Sequence, residues 1–205
     1  MSGDSNRPSV WTRSRELASR EIHETAIRLF LTQGYEQTTT EQIAREVGVS
    51  QRTLFRYFGT KEDLVCGEQD ALGVLLRETV ERQPAGVSAW QALRTGFMAL
   101  TTARHTADEA LVISTLIFRT PALRARYEEK RIAWQYALLP VVRARVERPG
   151  QSADVTGHIA RTVIAVSFAC ADAATGTWIA GEGRDDMSAL YDEALRIAGQ
   201  ADLSA

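Results

Sequence analysis

From about residue 14 onward the apolar positions recur at the three- and four-residue intervals of an α-helix, and no segment alternates as a half-buried strand does. Ile22, Ala26, Leu29 and Phe30 form one stripe of a helix over about 14–33, which Gly34 stops. Thr39, followed three residues later by Gln42, predicts a capping-box start for a short helix carrying Ile43, Ala44 and Val47 and ended by Gly48. Ser50 is a good N-cap for a second short helix carrying Leu54, Phe55 and Phe58, which Gly59 closes. A longer helix is predicted over 61–83. Beyond Pro84, helical patterns run over 87–105, 108–118, 121–147, 153–180 and 186–199. Pro121 suits the first turn of its helix, where a missing N–H is harmless, whereas Pro140 is expected to kink or split the helix it interrupts. The expected architecture is all-α, with about nine helices. A flexible basic arm (1–13) precedes an N-terminal three-helix unit (14–60), and a larger helical domain follows (61–205).

The two short helices and the tight turn at Gly48 make a helix-turn-helix pattern. In such units the second helix enters the major groove with its first residues nearest the base edges. Here those are Gln51, Arg52 and Thr53, with Arg56 one turn on. Arginine can bond a guanine bidentately and glutamine an adenine. Thr39, Thr40 and Tyr57 bring hydroxyls, and Lys61 a charge, suited to phosphate. A formal net charge of −2 gives no bulk argument for nucleic acid, so the case rests on placement. From Ser50 to Lys61 the chain carries Arg52, Arg56 and Lys61 and no acid. Arg7, Arg13, Arg15 and Arg20 near the N-terminus either reach an adjacent groove or phosphate, or form a solvated tail.

Gly34-Tyr35, Thr38-Thr39, Ile43-Ala44, Gly48-Val49-Ser50, Thr53-Leu54-Phe55, Tyr57-Phe58 and Lys61-Glu62-Asp63-Leu64 resemble, at fixed spacing, the N-terminal domain of tetracycline-repressor-type (TetR) regulators. The resemblance covers about residues 14–65. It implies an all-helical homodimer that binds an inverted-repeat DNA operator, with a C-terminal domain that binds an effector and dimerises. It also implies DNA-contacting positions at Thr39, Thr40, Ser50 to Thr53, Tyr57 and Lys61. One departure stands out: Phe55 occupies a position where the family often has Tyr, so a hydroxyl is absent. Phe55 either packs in the core or touches a thymine methyl.

The region beyond residue 85 has no GxSxG, HExxH, P-loop or credible GxGxxG, which argues against an enzyme. His23, His105 and His158 fall on three different predicted helices and read as ordinary core or surface residues. Cys66 and Cys170 form no CxxC and signal neither a disulfide framework nor a zinc site, so no metal or cofactor is expected. Trp90, Phe97, Phe118, Tyr127, Trp134, Tyr136, Phe168 and Trp178 either fill the core or line a cavity. Phe97, Leu116, Arg119, Trp134, His158, Phe168 and Asp172 are the pocket candidates, with Arg131 a further polar anchor. Trp11-Thr12-Arg13, Thr53–Phe58 and Arg119-Thr120-Pro121-Ala122-Leu123-Arg124 resemble a branch of these regulators associated with acyl-CoA-like ligands. The basic residues Arg124, Arg126, Lys130 and Arg131 suit phosphates at a pocket mouth or a solvated face. Ala165, Ala169 and Ala173 recur every four residues, a small-residue ridge where the last two helices are expected to dimerise. The N-terminus has no apolar run resembling a signal peptide, and the apolar stretch 162–171 is too short to span a bilayer, so a cytoplasmic protein is expected. The expected partners are double-stranded operator DNA, a small-molecule effector and a second copy of the chain, with no membrane. The expected function is ligand-released repression, with activation by the same fold, a helical enzyme or a protein-interaction module as the other readings.

Overall fold

The computed structural model describes residues 10–199 apart from 68, 102, 104 and 105, with side chains described from residue 17 onward. Residues 1–9 of the expected arm, the side chains of Arg13 and Arg15, and His105 therefore lie outside the described residues. Among the described residues there are ten helices and no strand. The chain divides after Gly67 into two compact units.

The first unit contains α1 (Val10–Gln33), α2 (Thr40–Val47), α3 (Gln51–Tyr57) and α4 (Asp63–Cys66). Helix α1 begins at Val10, ahead of the expected start near residue 14. Its apolar stripe is sealed: Ile22, Ala26, Leu29 and Phe30 are all buried, as are Ile43 and Ala44 of α2 and Leu54 of α3. Gly34 (φ 92°) and Gly48 (φ 78°) both take left-handed backbone, which a Cβ would strain, and this allows each helix to end where its apolar run ends. Gly48 and Val49 donate to Arg45 O and Ala44 O at 3.2 and 2.9 Å, closing α2 and turning the chain toward α3.

The second unit holds α5 (Gln69–Arg82), α6 (Ala89–Thr101), α7 (Ala107–Arg119), α8 (Pro121–Val146), α9 (Ala153–Ala180) and α10 (Met187–Gly199). Its core gathers Leu76, Leu93, Phe97, Trp134, Leu138, Ile164, Phe168 and Tyr191 from α5, α6, α8, α9 and α10. Close approach depends on small residues: a Cβ at Gly96 would sit 2.7 Å from Leu76 Cδ1, and one at Gly73 would overlap the Trp134 indole. A capping box starts α7, with Thr106 Oγ1 accepting from Glu109 N at 3.3 Å and Thr106 N donating to Glu109 Oε2 at 2.9 Å.

Three expectations need correction. The single helix expected over 61–83 is found as α4 and α5. Its start moves to Asp63 because Thr60 Oγ1 accepts from Asp63 N at 3.1 Å and so holds residues 60–62 in a turn. Pro140 does not split its helix, and α8 continues through it. Both Pro140 and Tyr136, whose carbonyl loses its intrahelical donor, are exposed, so water can satisfy that carbonyl. The apolar stretch 162–171 belongs to a 28-residue helix, α9, which by length and composition alone could cross a bilayer. In this fold its Ala160, Val163, Ile164, Phe168, Cys170 and Ala174 are buried inside the unit.

Candidate nucleic-acid interface and polar core

The α2–α3 pair is fixed by its caps. Thr39 Oγ1 accepts from Gln42 N at 3.1 Å, and Ser50 Oγ accepts from Thr53 N at 3.1 Å, satisfying otherwise orphan helix donors. Among the described residues the second half of the capping box expected at Gln42, a bond from Thr39 N to the Gln42 side-chain oxygen, is not found, and Gln42 Nε2 donates to Gln33 Oε1 at 2.8 Å. Ser50 and Thr53 also join their hydroxyls at 2.8 Å.

Leu54 and Phe58 are the residues of the α3 region that turn inward, which leaves the opposite face to solvent. Gln51, Arg52, Phe55 and Arg56 are all exposed there, and Thr53 and Tyr57 are half-buried. Gln51 Nε2 donates to Thr40 Oγ1 at 2.9 Å, tying the start of α3 to the start of α2. Arg52 has no partner among the described residues. Arg56 lies 5.9 Å from the centroid of the Tyr57 ring. Phe55 is 41% exposed, which removes the core-packing alternative for it.

Lys61 has internal partners. Its Nζ donates to Tyr35 O at 2.6 Å and sits 4.0 Å from the Tyr35 ring centroid, a half-buried cation held by an internal carbonyl and an aromatic face. The Tyr35 hydroxyl donates to Glu62 Oε1 at 2.7 Å. Burial pulls the Glu62 carboxyl upward, but the Tyr35 hydroxyl, a backbone N–H, Thr60 and Lys61 outweigh it and hold the group below its ordinary value. The Tyr35 phenol is raised, first by burial and then by Glu62. Sequence reasoning did not foresee this internal role of Lys61, because its partner carbonyl lies 26 residues away.

In the second unit the structure brings together Phe97, Trp134, Phe168 and Asp172 of the pocket candidates. The Phe97 and Phe168 rings meet edge-on at 5.0 Å, and Trp134 lies 6.5 Å from Phe168. Tyr127 continues the aromatic series from Trp134 at 6.5 Å, and Phe118 continues it from Tyr127 at 6.3 Å. Buried Arg131 bonds Asp172 Oδ2, and its Nη2 donates to Phe168 O at 3.2 Å. Arg124 stacks 4.1 Å over Phe118 and donates to Glu128 at 2.7 Å and Asp172 at 3.4 Å, while its other terminal nitrogen is buried without an acceptor. Burial pushes the Tyr127 phenol up to about 12. Leu116 is half-buried; Arg119 and His158 are exposed and do not join this group. Of the aromatics, Tyr136 is 73% exposed and Trp90 38% exposed, so neither fills the core. The i,i+4 spacing of Arg124 and Glu128 was visible in the sequence, whereas the pairing of Arg131 with Asp172 joins α8 to α9 across 41 residues and had no local signal. Among the described residues no group of three or more His, Cys, Asp or Glu side chains is placed to hold a metal ion.

Comparison with known proteins fits both units. Residues 22–66 match the family of bacterial regulatory proteins of the tetR type, and residues 87–201 match the MftR C-terminal domain. The chain is 33% identical over 147 residues to the HTH-type transcriptional regulator TcmR of Streptomyces glaucescens, covering 68% of this chain and 65% of TcmR, just under two-thirds of that protein. It is 24% identical over 184 residues to the fatty acid metabolism regulator protein of Bacillus subtilis, covering 86% of this chain and 91% of that protein. In structure it resembles FadR of Thermus thermophilus, a TetR family transcriptional repressor solved in complex with lauroyl-CoA. That likeness has a TM-score of 0.54 at 24% identity, covering 91% of this chain and 97% of FadR. A fold that is all-helical among the described residues, a helix-turn-helix with its polar face open, and family matches over both units together place the chain in the tetR family of bacterial regulatory proteins.

Proposed function

We propose that this chain is a ligand-released repressor that binds an inverted-repeat operator as a homodimer in the cytoplasm. The observation that carries the reading is the open face of α3, where Gln51, Arg52 and Arg56 are exposed and Arg52 has no partner among the described residues. A guanidinium held ready on a helix of this kind suits a guanine edge. Thr39, Thr40, Ser50, Thr53 and Tyr57 position the helix against phosphates around it. Gln51 reads a base by exchanging its bond to Thr40 for one to DNA. Lys61 acts from its place beside Tyr35, contributing charge near the backbone rather than a free ammonium.

A two-fold dimer sets two such helices about one DNA turn apart. The ridge Ala165, Ala169 and Ala173 supports dimerisation through α9 and α10, because all three are exposed, as are Val155 and Ile197 on the same two helices. The effector binds among α6, α7, α8 and α9, with its apolar part against Phe97, Trp134 and Phe168 and its polar end near Arg124, Arg131 and Asp172. An acyl-CoA is the effector this reading favours, supported by the resemblance to a regulator solved with lauroyl-CoA. Such a ligand shifts the protein away from its operator-binding state only by the difference between its affinities for the two states.

Sedimentation and fluorescence anisotropy test this reading together. The protein should sediment as a dimer at micromolar concentration, and lauroyl- or stearoyl-CoA should displace it from operator DNA while coenzyme A alone does not. A monomer would contradict the dimeric mechanism, and acyl-CoAs that neither bind nor displace would contradict the effector class.

A further inference from the structure

The recognition face carries one side chain that polar readout does not use. Helix α3 is short, and Leu54 together with Phe58 beyond its end supplies the inward apolar contacts at 0% and 7% exposure. Phe55 comes one residue after Leu54, about 100° round the helix, and so points elsewhere. Gln51 and Arg52 precede it by four and three residues, which puts all three side chains on one surface strip. Phe55 is 41% exposed and makes no ring contact among the described residues. A phenyl ring in that position is not one of the buried core residues and leaves apolar area in water. Its neighbours Gln51 and Arg52 match the acceptors and donors of adenine and guanine, but neither side chain reads a methyl group. Of the features a base pair offers in the major groove, the C5-methyl of thymine is the apolar one. The ring has no polar atom, so the methyl is the base feature that its apolar surface fits best.

We propose that Phe55 is a specificity-determining residue whose ring packs on a thymine C5-methyl, so that the regulator selects thymine at one position in each half-site. This inference rests on the operator-binding reading above and deepens it. The contact replaces water on both apolar surfaces, and removing the methyl should weaken binding by roughly fourfold per half-site. Symmetric removal from both half-sites should then weaken it by roughly fifteenfold, since the two contributions multiply.

The test starts from an inverted repeat selected by the wild-type protein, in which symmetry-related thymines are replaced pair by pair with deoxyuridine. Anisotropy titration should find one position where uracil lowers affinity by the stated factor. Phe55→Ala should bind the thymine and uracil versions of that site equally, whereas Phe55→Tyr, which keeps the ring, should retain the preference. Arg52→Ala should bind more weakly overall and still prefer thymine there. A wild-type protein indifferent to uracil at every position overturns the proposal without any variant having to fold. So does a thymine preference that survives in Phe55→Ala. Failure to select any inverted repeat overturns the operator-binding reading itself, an outcome distinct from an operator bound without regard to its methyl groups.

Discussion

Arg131 and Arg94 each hold an aspartate from a distant helix, yet their surroundings give the two pairs different consequences. The Arg131 side chain is 5% exposed and its partner Asp172 28%, while Arg94 and Asp192 are 38% and 47% exposed. Removing the anion from a buried guanidinium leaves a charge that neither water nor another group fully compensates. Asp172→Asn should therefore lower the stability of the protein to urea by about 3 kcal/mol. Asp192→Asn breaks a well-formed pair, with contacts of 2.5 and 2.6 Å, but water replaces the lost bonds. Its cost should stay below about 1 kcal/mol. Equal losses in the two denaturation curves would show that Glu128, which also reaches Arg131 at 3.3 Å, holds that charge without Asp172.

At the scale of the element, the end of α5 is held from outside. Arg145, near the end of α8, donates to Val80 O at 2.8 Å, Gln83 O at 2.5 Å and Pro84 O at 3.0 Å, with Val87 O at 3.3 Å. These carbonyls belong to the last turn of α5 and the loop that follows it, where no further helical N–H is available. A cation there also meets the negative end of the helix dipole. Arg145→Met should cost about 2 kcal/mol and speed hydrogen exchange at the end of α5 and in the 83–87 loop. Arg145→Lys should recover only part of this, because an ammonium cannot spread its donors over so many carbonyls. Unchanged exchange in Arg145→Met would mean that the loop is held by its own turn alone, through Val87 N and Pro84 O. The sequence marked these helix ends unevenly. Thr39, Gly48 and Ser50 act within four residues of themselves and were legible. The Arg145 clamp spans more than 55 residues and was not.

At the scale of the whole molecule the two units were legible to different degrees, for the same physical reason. In the first unit nearly every determinant is local: helical spacing, two glycines with left-handed backbone, two hydroxyl caps, and polar residues at the start of α3. The fold and most of the exposed face could therefore be read before any coordinate was known. Lys61 was the exception, since the Tyr35 carbonyl that holds it comes from a turn far back in the chain. In the second unit periodicity gave the helices but not which of their polar groups meet. Asp172, a polar pocket candidate, joins Arg131. Arg119 and His158, also polar candidates, are exposed.

The central claim is that α3 reads DNA sequence, and selection from a random double-stranded library with the purified protein, repeated with Arg52→Ala, tests it most directly. An inverted repeat should be enriched by the wild type. In the variant, preference should relax at one position of each half-site, with a loss of about 1–3 kcal/mol. A library that yields no enriched sequence at low salt, or the same sequence with undiminished preference in Arg52→Ala, would contradict the assignment of Arg52 and its neighbours as the base-reading surface.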